Sequence, residues 1–376
     1  MTGKEGGRER AFRAGFVVSG AAYGRSMSTL TVLSPPPDTI AAPTTLAALG
    51  SFDLAGGPLN PAQQQVLDLL GARGEVPVAY DPSLRHELLA ELEGALEPLV
   101  AALPDGQPLY LSKFPLSQVH GCEAKFLAGH EEAFEWSVAS ARGTIAHKAI
   151  ELSIHWEGEP YPLDLVDEAM ARLSLGNGSL AEYLQRSTDI DRAELRGEAN
   201  ERVTKFLECF PPLKPAWRPV TESGVKIELF DRRIVLQGRV DLTLGHARGT
   251  TARKVLIDFK SGGFSPSHVD DLRFYALLET IRIGTPPRRL ATYYLDAGRP
   301  HPETVTIDVL RAAIRRTVDG ATRMVELLHH EHPPAKRPGF GCRWCPAVDT
   351  CAEGRGWLLD EADGVGTVVV GPAGAR

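Results

Sequence analysis

Apolar positions recur at helical spacing in NPAQQQVLDLLGAR (60–73) and PSLRHELLAELEGALEPLVAAL (82–103), which predicts two amphipathic helices. LYLSKFPLSQVHGCEAKFLAGHEEAF (109–134) reads as a short strand followed by a helix with Cys122 inside it. RGTIAHKAIELSIHWE (142–157), PLDLVDEAMARLSLG (162–176) and RAELRGEANERVTKFLECF (192–210) continue the helical pattern. The texture changes at residue 216. AWRPVTESGVKIELF, RIVLQGRVDLTL and KVLIDFKSG are β-branched, alternating segments separated by turn residues, the signature of strands. A helix (SHVDDLRFYALLETIRIG), a strand (RRLATYYLDAG), and a strand with a long helix (PETVTIDVLRAAIRRTVDGATRMVELLHH) complete the pattern before a cysteine-bearing segment. Helices and strands in this order predict an α/β fold.

Residues 1–60 are rich in Gly, Pro, Ser, Thr and Ala, as in SPPPDTIAAPTT, and predict irregular structure. Residues 61–110 read as a helical extension, 111–355 as the main domain, and 356–376 as a Gly-rich flexible tail. The 376-residue chain is 43% hydrophobic and 24% charged, within the range of ordinary globular proteins. No apolar run approaches the length of a membrane span, and no signal segment is evident, so a cytoplasmic protein without a membrane partner is expected. A net charge of −7 argues against a general nucleic-acid coat but leaves room for a local cationic groove. GxxxxGK[ST] is absent, so no ATP motor is visible in the chain. Five cysteines in a chain of this size point to a metal or redox role for a cluster rather than to disulfides.

The candidate chemistry lies in GRVDLTL and VLIDFKSG. Asp258 and Lys260 are two apart on one strand, so they share a face. Asp241 lies on the preceding strand, across the hairpin loop GHARGTTAR. A D-x-K pair on a strand is most often a solvated ion pair. Both acids here stand in apolar surroundings, where a charge needs a reason. Two carboxylates with a nearby imidazole suit a hard divalent cation such as Mg²⁺ or Mn²⁺, and Lys260 could stabilise charge on a phosphate or orient a water.

GRVDLTL…VLIDFKSG resembles the core of PD-(D/E)xK nucleases, in the RecB-like exonuclease branch. The resemblance implies a restriction-endonuclease-like core, a mixed central sheet flanked by helices, with helical insertions. GTIAHKAIE resembles the branch's G-x-x-x-H motif and would make His147 a metal ligand beside Asp241 and Asp258. Without the resemblance, His147 reads as a half-buried, satisfied histidine. DDLRFYALL falls where the family carries Q-x-x-x-Y near the substrate. Tyr275 matches, whereas Asp271 stands where the family has Gln, and an acid there adds repulsion near phosphates. Glu222, in RPVTESG, occupies a place where these nucleases often carry a Glu on the preceding strand.

GCRWCPAVDTC carries Cys342, Cys345 and Cys351 as C-x-x-C-x₅-C. In AddB-type nucleases and four-cysteine CRISPR-associated exonucleases, this pattern joins one upstream cysteine to hold a [4Fe–4S] cluster. Cys122 fills the upstream place, and the resemblance implies a cluster that staples the C-terminal segment to the domain, its four sulfurs converging. Cys209 is left over and reads as a small core residue. The function implied is metal-dependent hydrolysis of DNA, an exonuclease on single-stranded ends in recombinational repair, with a helicase subunit supplied by another chain. Two rivals stay open: a weak or inactive DNA-binding scaffold of the same fold, and a Cys₄ zinc protein.

Overall fold

A computed structural model describes residues 58–364, apart from 72, 132 and 133. The irregular segment expected at residues 1–60 lies, up to residue 57, outside the described residues. Helices come first: α1 (Pro61–Leu70), α2 (Leu84–Val100), and, after the short strand β1 (Leu109–Leu111), α3 (Lys113–Gly121) and α4 (Glu123–Glu131). Then follow α5 (Val138–Ser153), α6 (Pro162–Ser174), α7 (Ser179–Arg186) and α8 (Asp189–Cys209). The strands β2 (Val220–Leu229), β3 (Ile234–Leu244) and β4 (Val255–Lys260) precede α9 (Pro266–Ile283). β5 (Arg289–Tyr294), β6 (Arg299–Thr304), α10 (Ile307–Leu328) and, past the cysteines, α11 (Ala352–Gly364) complete the chain.

Among the described residues six strands form one mixed sheet flanked by helices, as the resemblance implies. β5 pairs with β4 in parallel and with β6 antiparallel. β3 is the hub. β2 runs antiparallel along one edge of it, from Ile234 to Thr243. The other edge is shared: β1 pairs in parallel with Ile234–Leu236, and β4 pairs antiparallel with Leu242–Leu244. Residues 237–241 fall between these two partners, so the ladder opens in the middle of the sheet.

Two hydrophobic cores cover the two faces. The first gathers Leu84, Leu88, Leu92 and Leu96, one stripe of α2 at i, i+4 spacing, with residues of α3, α9 and α10 and with Leu236, Val240, Leu256 and Leu290 of the sheet. The second gathers residues of α1, α5, α6 and α8 with Leu242, Val255, Ile257, Phe259, Ala291 and Tyr293. The helices of residues 61–110 therefore share the cores of the sheet rather than standing apart from it. β3 also changes its facing. Leu236 and Val240 belong to the first core but Leu242 to the second, although all are even-numbered. A strand with strict two-residue alternation would keep them together. The switch falls at Asp241, and Glu222, on β2 beside it, has a left-handed backbone with φ 51°.

Two local expectations need correction, and one helix was missed. Cys122 does not sit inside a helix: α3 ends at Gly121, Cys122 is extended (φ −157°, ψ 113°), and α4 starts at Glu123. The break turns its sulfur toward residues 335–337. The tail expected from residue 356 begins as helix α11, and residues 365–376 lie outside the described residues. Helix α7 went unpredicted because eight residues are too few to display periodicity, although Ala181 and Leu184 are buried.

At Gly238 of β3, Tyr275 of α9 lies close against the sheet. A Cβ there would lie 2.2 Å from Cε1 of Tyr275. Tyr275 is only 2% exposed and has nowhere to retreat. We expect Gly238→Ala to cost about 1–3 kcal/mol through overpacking, read by urea unfolding. An unchanged unfolding midpoint would show that the ring has room to move.

Candidate active site

The opening in the ladder is where the charged residues collect. Asp258 and Lys260 project from β4 toward the first core, two residues apart on one face. Asp241 stands one residue past the last rung, where the ladder opens, since Leu242 pairs with Ile257. Its Oδ2 accepts the backbone N–H of Phe259 at 2.7 Å, so a carboxylate replaces the strand partner this N–H lacks. Its Oδ1 faces Nδ1 of His147 at 3.5 Å. His147 arrives on α5 from the second core and packs edge-on against Phe259, with ring centroids 5.7 Å apart. The glycine of G-x-x-x-H has a physical reason: a Cβ at Gly143 would come within 3.1 Å of Oγ of Ser261, next to Lys260. Donors from both helical layers thus meet at the gap.

Asp258 is fully buried. Nζ of Lys113, the first residue of α3, lies 2.7 Å from its Oδ1, and Nζ of Lys260 lies 2.9 Å from its Oδ2. The Lys260 contact is a charge contact, because Oδ2 makes no hydrogen bond. Burial opposes ionisation of Asp258, but the two ammonium groups hold its carboxyl well below the usual range. Burial likewise disfavours both charged lysines, and Asp258 outweighs it, raising Lys113 well above its ordinary value and raising Lys260. For His147, burial is outweighed by Asp241, so its pKa rises. Burial and then the charge of Asp241 push Glu222 up, against its 3.2 Å pair with Arg239. Glu222 therefore lies within electrostatic reach of Asp241.

The two helix-motif residues make contacts within the group. Oδ2 of Asp271 lies 3.0 Å from Nζ of Lys260 and forms an ion pair with it. Burial raises its pKa, with Lys260 and Lys113 pulling the other way. Tyr275 is buried, its ring 5.4 Å from Nζ of Lys113, where it supports that lysine instead of facing solvent. Lys113 is the residue that sequence reasoning missed. Nothing in LSKFP marks it, and only the pairing of β1 with β3 brings it to the gap. Among the described residues, no three His, Cys, Asp or Glu side chains stand gathered around a metal-sized point. At Asp258 the nearest cations are ammonium groups.

The cysteine segment folds back onto the α3–α4 break. The Arg337 N–H donates to Sγ of Cys122 at 3.5 Å, Gly339 N–H to Sγ of Cys342 at 3.4 Å, and Gly354 N–H to Sγ of Cys351 at 3.3 Å. Burial pushes the Cys345 thiol up, with smaller contributions that include Cys122 and Cys342. A Cβ on Gly354 would touch Sγ of both Cys342 and Cys351 at 3.4 Å. Buried Glu123 accepts the Ala335 N–H at 2.7 Å, Lys125 donates to the Gly341 carbonyl at 2.9 Å, and Arg337 donates to the His120 carbonyl at 2.6 Å. The four cysteines share one neighbourhood, without a ready-made cage of sulfurs among the described residues. Cys209 lies elsewhere, beside Gly298.

His268 borders the site on α9, its Nδ1 3.2 Å from the Tyr294 hydroxyl. Burial, and then the charge of Lys260, lower its pKa to about 4. The unfolded chain takes up this proton near pH 6.5, so stability from the neutral imidazole is complete above that value and is lost as pH falls toward 4. We expect NMR to show His268 neutral at pH 5.5, and His268→Gln to lose less stability than the wild type between pH 7 and 4.5. An imidazole titrating near 6.5 would contradict this placement.

Comparison with known proteins agrees with this geometry. The model of the PD-(D/E)XK nuclease superfamily matches residues 110–352, well over half of the chain. No curated protein matches. Among solved structures, the chain is similar to the crystal structure of SSO0001, with 12% identity, TM-score 0.30, and coverage of 71% of this chain and 96% of that one. It is also similar to a protein from Eubacterium rectale named "Putative exonuclease", with 11% identity, TM-score 0.39, and coverage of 79% and 97%. Likenesses this distant carry no weight beside the family match. That match spans the strands bearing Asp241, Asp258 and Lys260, the helix bearing His147 and the segment bearing Cys342, Cys345 and Cys351, and by it the protein belongs to the PD-(D/E)XK nuclease superfamily.

Proposed function

We propose that this chain is a metal-dependent DNA nuclease, acting as an exonuclease on single-stranded ends during recombinational repair in the cytoplasm, beside a helicase supplied by another chain. The observation that carries the nuclease reading is the fully buried Asp258 carboxylate, set next to Asp241 at the open ladder with Lys260 against it. The order of G-x-x-x-H, Asp241, D-x-K and the cysteines supports the RecB-like branch, and with it single-stranded ends, repair and a separate helicase.

Asp241, Asp258 and His147 would hold Mg²⁺ or Mn²⁺. The donor set fits: carboxylate oxygens and an imidazole suit these cations, and Oδ2 of Asp258 is a buried oxygen held only by its charge contact with Lys260. When bound, such an ion polarises a phosphoryl oxygen and lowers the pKa of a water. Lys260 supplies a positive charge that can balance the phosphate or orient the attacking water. Asp271 restrains that ammonium from the other side. Glu222 adds negative charge at the Asp241 end, restrained by Arg239.

Cys122, Cys342, Cys345 and Cys351 would hold a [4Fe–4S] cluster. Backbone N–H groups directed at three sulfurs suit thiolates that carry charge, and all five cysteines are free of disulfides. The cluster would close a loop of more than 200 residues, and loops of that length gain most from closure.

Two experiments test the reading. DNA labelled at the 5′ or 3′ end, single-stranded and duplex, is incubated with Mg²⁺ or Mn²⁺. We expect stepwise loss from single-stranded ends, and a fall of about 10²-fold or more for Asp258→Asn. Cleavage by Asp258→Asn at the wild-type rate would remove the assigned site. Protein purified without oxygen should be brown. Cys122→Ser should bleach it and open the segment after residue 335 to proteases, while Cys209→Ser should do neither. A colourless, zinc-loaded protein would overturn the iron assignment.

A further inference from the structure

Lys113 has no place in the family motifs, yet it makes the shortest contact to Asp258, 2.7 Å from Nζ to Oδ1. Its position is fixed on three sides. β1 pairs with the start of β3 and delivers the chain to the gap, Lys113 opens helix α3, and the buried Tyr275 ring lies beneath its ammonium group at 5.4 Å. Oδ2 of the same carboxylate is taken by Lys260 at 2.9 Å. Both oxygens of a fully buried acid are thus covered by cations before any metal arrives. A buried carboxylate stripped of its partner is strongly destabilising, so the protein without metal needs such a charge. A divalent ion reaching Asp258 then needs an oxygen that an ammonium group occupies. Lys260 is restrained by its second acid, Asp271, at 3.0 Å. Among the described residues Lys113 hydrogen-bonds Asp258 alone, and it keeps partial access to solvent with 30% of its side chain exposed, so it is the one able to withdraw.

We propose that Lys113 is a resident counter-ion that holds Asp258 in the metal-free protein and competes with the divalent cation for it. The inference rests on the assignment of Asp258 as a metal ligand. Lys113 is a positioning residue, and its role is visible without any turnover.

The test is calorimetric titration with Mn²⁺ of the wild type, Lys113→Met and Lys113→Gln, with melting temperatures in EDTA and in Mn²⁺. Lys113→Gln keeps a donor for Oδ1 without the charge and guards against misfolding of the Met variant. Removing the competitor should tighten Mn²⁺ binding on the order of tenfold, because occupancy of one site by two cations is mutually exclusive. Both variants should melt lower than the wild type in EDTA, and saturating Mn²⁺ should remove most of that deficit. A merely structural lysine would leave the deficit in place. Equal or weaker Mn²⁺ binding by folded variants would overturn the inference alone. Absence of Mn²⁺ binding in all three proteins would overturn the metal assignment along with it.

Discussion

A carboxylate with no exposure to solvent, Asp258, fixes much else in this molecule. Taking one charge out of water costs several kcal/mol, and the cost is recovered only with close partners of opposite sign. Lys113 and Lys260 supply them, one on each oxygen. Each lysine then needs its own placement. Lys260 takes it from strand alternation and from Asp271. Lys113 takes it from β1 and Tyr275. Tyr275 in turn requires Gly238, where no side chain could fit beneath the ring. A chain of dependence thus runs from one acid through three strands and two helices.

The sheet makes room for this acid by failing to pair. If β4 followed β3 along its whole length, backbone hydrogen bonds would fill the space where Asp241 now accepts the Phe259 N–H. Because β1 and β4 divide one edge of β3, the middle of the sheet stays open, and His147 reaches it from the opposite layer. The left-handed Glu222 marks the point where β3 reverses its facing, so that Asp241 turns toward the gap. The same opening that weakens the ladder gathers acids, lysines and an imidazole, the mixture from which hydrolysis of a phosphodiester can be built.

Much of this was legible in the sequence, for physical reasons. Asp258 and Lys260 share a face because strands alternate, and an acid inside VLIDF has to be compensated. Asp241 and His147 follow from motif order, and the structure sets them 3.5 Å apart. Lys113 stayed hidden because its partner is 145 residues away and LSKFP looks like any helix start. The pairing of Asp271 with Lys260 stayed hidden as well, since it exists only once α9 lies across the sheet. The break at Cys122 was hidden too, because helical spacing runs through HGCEAKF, while the sulfur is drawn out by contacts from residues more than 200 positions away.

The central claim is that Asp241 and Asp258 flank the place of a divalent cation now balanced by ammonium groups. Anomalous diffraction from crystals grown with Mn²⁺ addresses it most directly. The account predicts one anomalous peak within ligand distance of both carboxylates, with Lys113 withdrawn from Oδ1 of Asp258. A peak elsewhere, or none, with both lysines still seated on Asp258, would contradict it.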